Sequence, residues 1–207
     1  MSLDWTPPTL ETERLILRPI TAADAPAVFL YASNPNLTRF TLFETHETID
    51  DSRWFTTDYV RSRYVSREPD PFGIVLKDDP VPMVIGSLGA HWASQPNGTM
   101  EFGYAIAEPY WGRGLIPEAV RALVRYVFTE YAVERLQARV ILGNEASERV
   151  LAKLGFTREG VLRSFVLRRG RFWDVVMYSL LRAEWEASFS PRDYTGAKWP
   201  VQGGRRA

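Results

Sequence analysis

A glycine turn between a predicted strand and a predicted helix constrains the fold of this chain more than any other stretch. The strand covers residues 99–107, and the turn, residues 110–117, reads Tyr-Trp-Gly-Arg-Gly-Leu-Ile-Pro. The two glycines let the backbone turn tightly, and Pro117 fits the first helical position, where a missing N–H costs nothing. Apolar residues then recur on one helical face. They are Val120, Leu123, Val124, Val127, Phe128 and Tyr131.

Such a turn is also a candidate anion site, because the first N–H groups of a helix lack acceptors and carry a partial positive charge. We expect it to hold the phosphates of a cofactor, although a purely structural role explains the turn equally well. The spacing matches neither G-x-x-x-x-G-K-[ST] nor G-x-G-x-x-G, which disfavours the P-loop and dinucleotide folds.

The order of predicted elements favours one mixed sheet with helices on both faces. The predicted strands comprise residues 11–19, 72–77, 83–92, 99–107, 136–142, 157–167 and 172–181. Predicted helices run over residues 21–33 and 48–66, from Pro117, and from Asn144 to a stop at Gly155. We expect an extension over residues 1–10, one domain over residues 11–185, and an arm or tail over residues 186–207. Gly103, inside a strand, predicts a bulge or a close backbone approach.

Composition excludes several classes of protein. The chain has 207 residues with 25 basic and 25 acidic side chains, and this zero net charge argues against a nucleic-acid partner. It has no cysteine and only His46 and His91, so we expect no thiol chemistry and no metal site. No apolar run approaches the roughly 20 residues of a membrane helix, and no signal peptide is evident, so we predict a cytoplasmic protein.

A second motif, Asn144-x-x-Ser147-x-x-Val-Leu-x-Lys-Leu-Gly155-Phe156, lies about 30 residues after the first. Together the two motifs resemble the GCN5-related N-acetyltransferase (GNAT) superfamily, in the branch of the ribosomal-protein-alanine N-acetyltransferases. The stretches at residues 12–18, 101–104, 160–163 and 174–180 are similar to that branch too, so the resemblance covers residues 11–185. It implies the α/β GNAT fold, with a mixed, mostly antiparallel sheet of six to seven strands.

The resemblance implies acetyl-CoA as donor and a primary amine as acceptor. The N–H groups of residues 112–116 would bind the pyrophosphate, and backbone near residues 104–107 would pair with the pantetheine. Asn144 and Ser147 would face the thioester. The implied cofactor-binding residues are Ala105, Ile106, Ala107, Trp111, Gly112, Arg113, Gly114, Leu115, Ile116, Asn144 and Ser147. Trp111 and Ile116 differ from the wider superfamily, but neither change removes a backbone N–H.

The attacking amine must be neutral, which an α-amine of pKa about 7.7–8.0 achieves more easily than lysine at about 10.4. Glu101 is the candidate base, because its strand should flank the thioester; an exposed strand glutamate is the alternative. Tyr104 is a candidate proton relay or a core residue. Where Leu151 stands, the family often has a tyrosine that acts as general acid to the leaving thiolate. Leu151 cannot do so, and Ser147 is the nearest residue that could take this role. Helix capping explains Asn144 and Ser147 equally well.

The acceptor remains open among a protein N-terminus, an amino sugar, a polyamine and an antibiotic amine. Aromatic residues are expected to line its pocket: Phe40, Phe43, Trp54, Trp92 and Trp173. Acidic residues could attract a cation, or cap a helix: Glu44, Glu47, Asp50 and Asp51. A non-catalytic acyl-CoA-binding module or sensor is the alternative function, supported by Leu151 and by Val166, where some ribosomal-protein enzymes carry glutamate. A nucleotide-binding protein is a third interpretation, and either a monomer or a homodimer is compatible with the sequence.

Overall fold

The sheet orders its strands β1-β2-β3-β4-β5-β6-β8-β7 in the computed structural model, which describes residues 4–188. Only the β5–β6 pair is parallel within this sheet; the other neighbours are antiparallel. The strands are β1 Leu10–Glu11, β2 Leu15–Pro19, β3 Phe72–Leu76, β4 Val84–Ser94, β5 Thr99–Ile106, β6 Arg135–Ile141, β7 Thr157–Arg168 and β8 Arg171–Leu181. The mixed, mostly antiparallel sheet is confirmed. It has one strand beyond the six to seven expected, because the two-residue β1 pairs with β2.

Helices cover both faces of this sheet. They are α1 Ala25–Ala32, α2 Pro35–Thr38, α3 Ile49–Trp54, α4 Val60–Val65, α5 Leu115–Glu130, α6 Glu145–Lys153 and α7 Arg182–Ser188. Neighbouring residues of a strand point to opposite faces, and Ile74 and Val75 of β3 show the consequence. Ile74 belongs to the main core beneath α5, whereas Val75 packs with Val28 of α1.

Helix α5 begins two residues earlier than the sequence predicts. Its first residue is Leu115, which makes Pro117 the third helical residue, not the first. Proline is tolerated there because the N–H groups of the first helical turn have no intrahelical acceptor. The apolar stripe that predicts this helix is buried against the sheet.

The predicted helix over residues 48–66 is present with one irregularity. Thr48 and Asp51 form a capping box at its start, and a π-helical segment, Phe55–Tyr59, joins α3 to α4. The short helix α2 falls in a stretch that the sequence leaves irregular; the Asn34 side chain caps it by accepting from the Asn36 N–H.

Strands β5 and β6 part after three paired positions, and this divergence positions the site. Thr99, Met100 and Glu101 pair with residues 135–137, and β6 then continues beside β8 alone. Gly103 lies past the point of divergence and pairs in register with Gly89 of β4. The predicted bulge at Gly103 is therefore wrong, and so is the alternative of a close backbone approach, since a Cβ built there meets no atom of the described residues within 4 Å.

At the C-terminal end, Trp185 of α7 stacks on Phe128 of α5 with ring centroids 5.2 Å apart. Most of the predicted arm or tail lies outside the described residues. Within residues 4–188, no helix is long and apolar enough to cross a membrane, and no cluster of three or more His, Asp or Glu side chains could hold a metal ion.

Candidate functional site

The glycine turn exposes a set of backbone donors to an open cleft. Gly112 and Gly114 have φ of +73° and +74°, a left-handed conformation that other residues rarely adopt. Among residues 4–188, no hydrogen-bond acceptor lies at the N–H groups of residues 112–116. A Cβ built on Gly112 meets no atom within 4 Å, so this side of the turn is open. The turn can therefore hold an anion against N–H groups and the positive end of the α5 dipole.

Residues near β1 and β2 hold this turn in place. The Arg14 guanidinium donates to the Arg113 carbonyl at 3.0 Å and forms a 2.7 Å ion pair with Glu118 of α5. Glu118 also accepts from the Thr12 hydroxyl and from the Arg14 N–H. Burial alone raises the pKa of Glu118, but these hydrogen bonds and the Arg14 charge outweigh it and keep the pKa below its ordinary value. Thr12 and Arg14, from the stretch at residues 12–18, thus hold the first turn of α5 in place.

The edge of β5 is open beside the glycine turn. The Ala107 N–H donates to the Ile85 carbonyl, and alternation along an antiparallel pair directs Ala105 and Ala107 toward β4. Tyr104 and Ile106 then direct their backbone groups to the other side, which β6 has left. The Trp111 indole N–H donates to the Ile106 carbonyl at 2.7 Å and ties the turn to this edge. Of the predicted strand contacts, Tyr104 and Ile106 have the suitable orientation for an added strand.

Three predicted residues meet where β5 faces α6. The hydroxyls of Tyr104 and Ser147 lie 2.6 Å apart, and the Ser147 N–H donates to Asn144 Oδ1 at 3.2 Å. Burial raises the pKa of Tyr104 to about 12, although the Ser147 hydrogen bond opposes this rise. Asn144 is therefore the cap of α6, while the Ser147 hydroxyl is directed to Tyr104. Leu151 is fully buried in the main core.

Glu101 lies at the apex of the cleft, where β5 and β6 part. Its buried carboxylate accepts from the Arg139 guanidinium through Oε1 and from the Gln137 amide, at 3.0 Å, through Oε2. Both oxygens thus have a donor from β6. The alternative of an exposed strand glutamate is wrong, because the side chain joins the two strands instead.

The cleft, with a volume of about 1300 Å³, continues across the face of the sheet that carries α1 and α3. Phe40, Phe43 and Trp54 line it, as the sequence predicts. The other two aromatic residues do not. Trp92 packs against the main core, and Trp173 lies below the β7–β8 turn with its indole donating to the Arg168 carbonyl.

Most of the predicted acidic cluster serves structure. Asp51 accepts in the capping box of α3, and Asp50 pairs with Arg53 at 2.7 Å. Glu44 contacts Arg168 and Arg169 at 3.7 and 3.4 Å. These three carboxylates already have partners within the protein. Their roles are helix capping and loop docking, which require no bound cation.

The β7–β8 turn docks on the segment that follows α2. The buried Arg168 guanidinium donates to the carbonyls of Thr38 and Arg39, at 2.6 and 3.2 Å. Arg169 donates to the Thr45 hydroxyl at 2.7 Å. We call the contacts of Arg168 and Arg169 with residues 38–45 the hairpin latch. It joins the last two strands to the segment carrying Phe40 and Phe43, which line the cleft.

Two residues of the cleft received no functional role from the sequence, which suggests a structural histidine at position 91 and does not single out Asp70. His91 of β4 stands directly opposite Glu101, and its Nδ1 lies 3.5 Å from Asp70 Oδ2. Both side chains line the cleft. The alternation of β4 could have placed His91 on one face of the sheet, but no local signal relates it to Asp70, which lies 21 residues earlier in a Pro-rich break.

Comparisons with known proteins agree with this geometry. Residues 14–157 match the model of the Acetyltransferase (GNAT) domain. The chain is 35% identical over 175 residues to the "Uncharacterized N-acetyltransferase YoaA" of Bacillus subtilis, covering 84% of this chain and 97% of that protein. It is 34% identical over 83 residues to the "[Ribosomal protein uS5]-alanine N-acetyltransferase" of Escherichia coli, covering 40% and 43% of the two chains.

Solved structures show the same fold. The crystal structure of an acetyltransferase (GNAT family) from Bacillus anthracis superposes with a TM-score of 0.74 at 25% identity, covering 86% of this chain and all of that chain. The domain match covers more than half of the residues, including both glycine-turn and α6 motifs. This chain therefore belongs to the GNAT family of acetyltransferases.

Proposed function

We propose that this protein transfers an acetyl group from acetyl-CoA to a primary amine by direct attack. The observation that carries the proposal is the open edge of β5 running from the apex at Glu101 to the unpaired N–H groups of residues 112–116. A ligand that is both an extended amide chain and a pyrophosphate matches these two features together. Coenzyme A has both parts.

The donor half follows from the backbone. The pyrophosphate binds the N–H groups of the glycine turn, where Gly112 leaves open space. The pantetheine amides pair with Tyr104 and Ile106 as an added strand. The thioester then lies toward the apex of the cleft, beside the Tyr104–Ser147 pair.

The reaction needs a stabilised oxyanion and a proton for the departing sulfur. As the amine nitrogen bonds to the thioester carbon, negative charge collects on the carbonyl oxygen, which a β5 N–H can stabilise. The carbon–sulfur bond then breaks. The Tyr104 and Ser147 hydroxyls, 2.6 Å apart, form the group that donates a proton to the thiolate. Glu101 stays a prediction as base, and its two donors from β6 weaken that role.

The acceptor is a protein N-terminus or a small-molecule amine. The partial match to the uS5-alanine enzyme supports an α-amine, which needs a weaker base than lysine. The aromatic cleft near Phe40, Phe43 and Trp54 supports an acceptor with an apolar group beside its amine. A cytoplasmic location remains a prediction.

The test is free-thiol release from acetyl-CoA in the presence of a panel of peptide N-termini and small amines. We expect turnover on at least one class of amine. Tight binding of acetyl-CoA without turnover on any amine would favour the acyl-CoA sensor. In a thermal-shift comparison, a larger stabilisation by ATP or NAD than by CoA would favour the nucleotide-binding alternative.

A further inference from the structure

We propose that His91, oriented by Asp70, accepts the proton of the attacking amine, the role that the sequence suggests for Glu101. This inference rests on the proposed acetyl transfer and names a residue of the same cleft. It is carried by the position of His91, by its contact with Asp70 and by the engagement of Glu101.

The cross-strand register places His91 beside the reaction. His91 and Glu101 are direct partners across β4 and β5, so their side chains stand on one face of the sheet. On this face of the sheet, the next pair along the two strands is Gly89 and Gly103. A Cβ built on Gly103 meets nothing within 4 Å, so this part of the floor is bare backbone next to the imidazole. An amine approaching a thioester at the edge of β5 has room there.

Asp70 lies beside the imidazole, within ion-pair distance of it. It covers Gly89 so closely that a Cβ on that glycine would overlap the carboxylate. Its Oδ2 lies 3.5 Å from His91 Nδ1 and accepts a 2.7 Å hydrogen bond from the Tyr59 hydroxyl. A carboxylate at Nδ1 favours the tautomer that leaves Nε2 as the basic nitrogen. Nε2 has no hydrogen-bond partner among residues 4–188, while the ring is about a quarter exposed, at 27%.

The other charges around His91 are already paired with each other. Arg63 of α4 bonds Glu68 at 2.9 Å and lies 3.6 Å from Asp70. On the other side, Glu101 accepts from Arg139 and Gln137. Both carboxylate oxygens of Glu101 are therefore engaged with donors of β6, whereas His91 leaves a ring nitrogen for the proton of the amine.

The step balances without another reactant. The amine nitrogen forms the bond to the thioester carbon, and its proton moves to His91 Nε2. The carbon–sulfur bond breaks, and the thiolate takes a proton from the Tyr104–Ser147 pair. The imidazolium then releases its proton to solvent, and the Tyr104–Ser147 pair takes one proton back from solvent, so the enzyme returns to its starting state. His91 is a catalytic residue in this scheme, and Asp70 is a positioning residue.

The experiment compares wild-type protein, His91→Ala, Asp70→Asn and Glu101→Gln on an alkoxyamine acceptor. The nitrogen of an alkoxyamine is already neutral near pH 6, so the acidic limb of the rate profile reports a group of the enzyme. We expect His91→Ala to lower kcat by about 10²-fold or more and to lose the acidic limb. Acetyl-CoA affinity should be unchanged, and added imidazole should restore part of kcat.

The two positional variants complete the test. Asp70→Asn keeps the shape over Gly89 but removes the carboxylate beside Nδ1, so kcat should fall while the affinity for acetyl-CoA stays unchanged. Glu101→Gln should keep the limb. If wild-type protein turns over while His91→Ala keeps both rate and limb, or while Glu101→Gln loses the limb, this inference is overturned and acetyl transfer stands. If wild-type protein binds acetyl-CoA without turning over any amine, acetyl transfer itself fails, and the role of His91 with it.

Discussion

Gly112 matters to this protein through its backbone angle and through the space in front of it, since a Cβ built there meets no atom of residues 4–188 within 4 Å. Its φ of +73° is unfavourable for any residue with a Cβ, and the open space lies where a phosphate would bind. Gly155, after α6, has a comparable φ of +82° and similarly open surroundings, but it does not line the cleft. The two glycines therefore share the left-handed backbone conformation and differ in whether they line the cleft.

This pair gives the first prediction. Gly112→Val and Gly155→Val should each lose about 1–2 kcal/mol of stability from left-handed strain. Only Gly112→Val should also weaken acetyl-CoA binding, by about tenfold or more, which corresponds to about 1.4 kcal/mol. Calorimetric titration with acetyl-CoA and thermal denaturation of both variants measure the two effects. Equal acetyl-CoA affinities in the two variants would refute the phosphate site.

A second prediction concerns hydroxyl groups. Tyr104→Phe and Ser147→Ala should each lower kcat by about 10²-fold, because the departing thiolate loses its proton source. Tyr178→Phe is the matched control: its hydroxyl donates to Glu148 of the same helix α6 at 2.8 Å, and Tyr178 does not line the cleft. Steady-state kinetics with acetyl-CoA affinity measured in parallel separates the cases. If Tyr178→Phe lowered kcat as much as Tyr104→Phe, the loss would come from a displaced helix α6, and the proton-donor role of Tyr104 and Ser147 would be contradicted.

At the scale of elements, the start of α5 depends on a segment a hundred residues earlier. Arg14 and Thr12 contact Glu118 in the first helical turn, and Arg14 also contacts the glycine turn through the Arg113 carbonyl. Glu118 thereby couples the first strands to the donor site. Its charge also complements the positive end of the helix dipole.

The third prediction follows from the pKa of Glu118. Because its folded-state pKa is lowered, the carboxylate stabilises the fold fully above its unfolded value of 4.5, and this contribution is lost as the pH falls through the folded pKa. Glu118→Gln should therefore cost about 1.5–3 kcal/mol of stability near neutral pH. The difference from wild type should vanish once the pH lies below the folded-state pKa of Glu118. Acetyl-CoA binding should weaken with it.

Denaturant melts at neutral and acidic pH measure this effect. Asp50→Asn is the control, since its exposed pair with Arg53 also lies in a first helical turn. Exposed pairs are worth about 0–1 kcal/mol, so this variant should change little. A Glu118→Gln variant with an equally small, pH-independent effect would contradict the coupling.

Over the whole molecule, the hairpin latch joins one edge of the sheet to the segment after α2, beside the proposed acceptor side of the cleft. Strands β7 and β8 lie at one edge of the sheet, and the segment after α2 reaches them through Arg168. The Arg168 side chain is almost fully buried, at 1% exposure, and burial lowers the pKa of its guanidinium. Such a buried cation requires its carbonyl partners.

The fourth prediction tests the latch. Arg168→Met should cost about 1–3 kcal/mol, because the carbonyls of Thr38 and Arg39 lose their donor. Since the segment that the latch holds carries Phe40 and Phe43 of the proposed acceptor side, the KM for the amine should rise several-fold while the KM for acetyl-CoA stays constant. Arg163→Met, at an exposed position of the same hairpin, is the control. Parallel changes in both KM values would contradict the assignment of this region to the acceptor.

The sequence by itself determined the local structure of the proposed donor half of this protein. Positive-φ glycines, the apolar stripe of α5 and the Asn144 cap are local features, set by backbone sterics and by residues three or four positions apart. They predicted the strand–turn–helix unit, the α6 cap and the family. They misplaced the start of α5, which lies two residues before Pro117, and the bulge at Gly103, where the register with β4 decides.

Only the tertiary structure decided the partners of the ionisable side chains. Glu101 is far from Arg139 in the sequence, and Asp70 is far from His91, so no periodicity could relate them. The divergence of β5 and β6 brings Glu101 to a guanidinium, and the break after α4 brings Asp70 to an imidazole. The charge state and basicity of a side chain depend on burial and on groups within a few ångströms, which is why the fold determines them and the chain order does not.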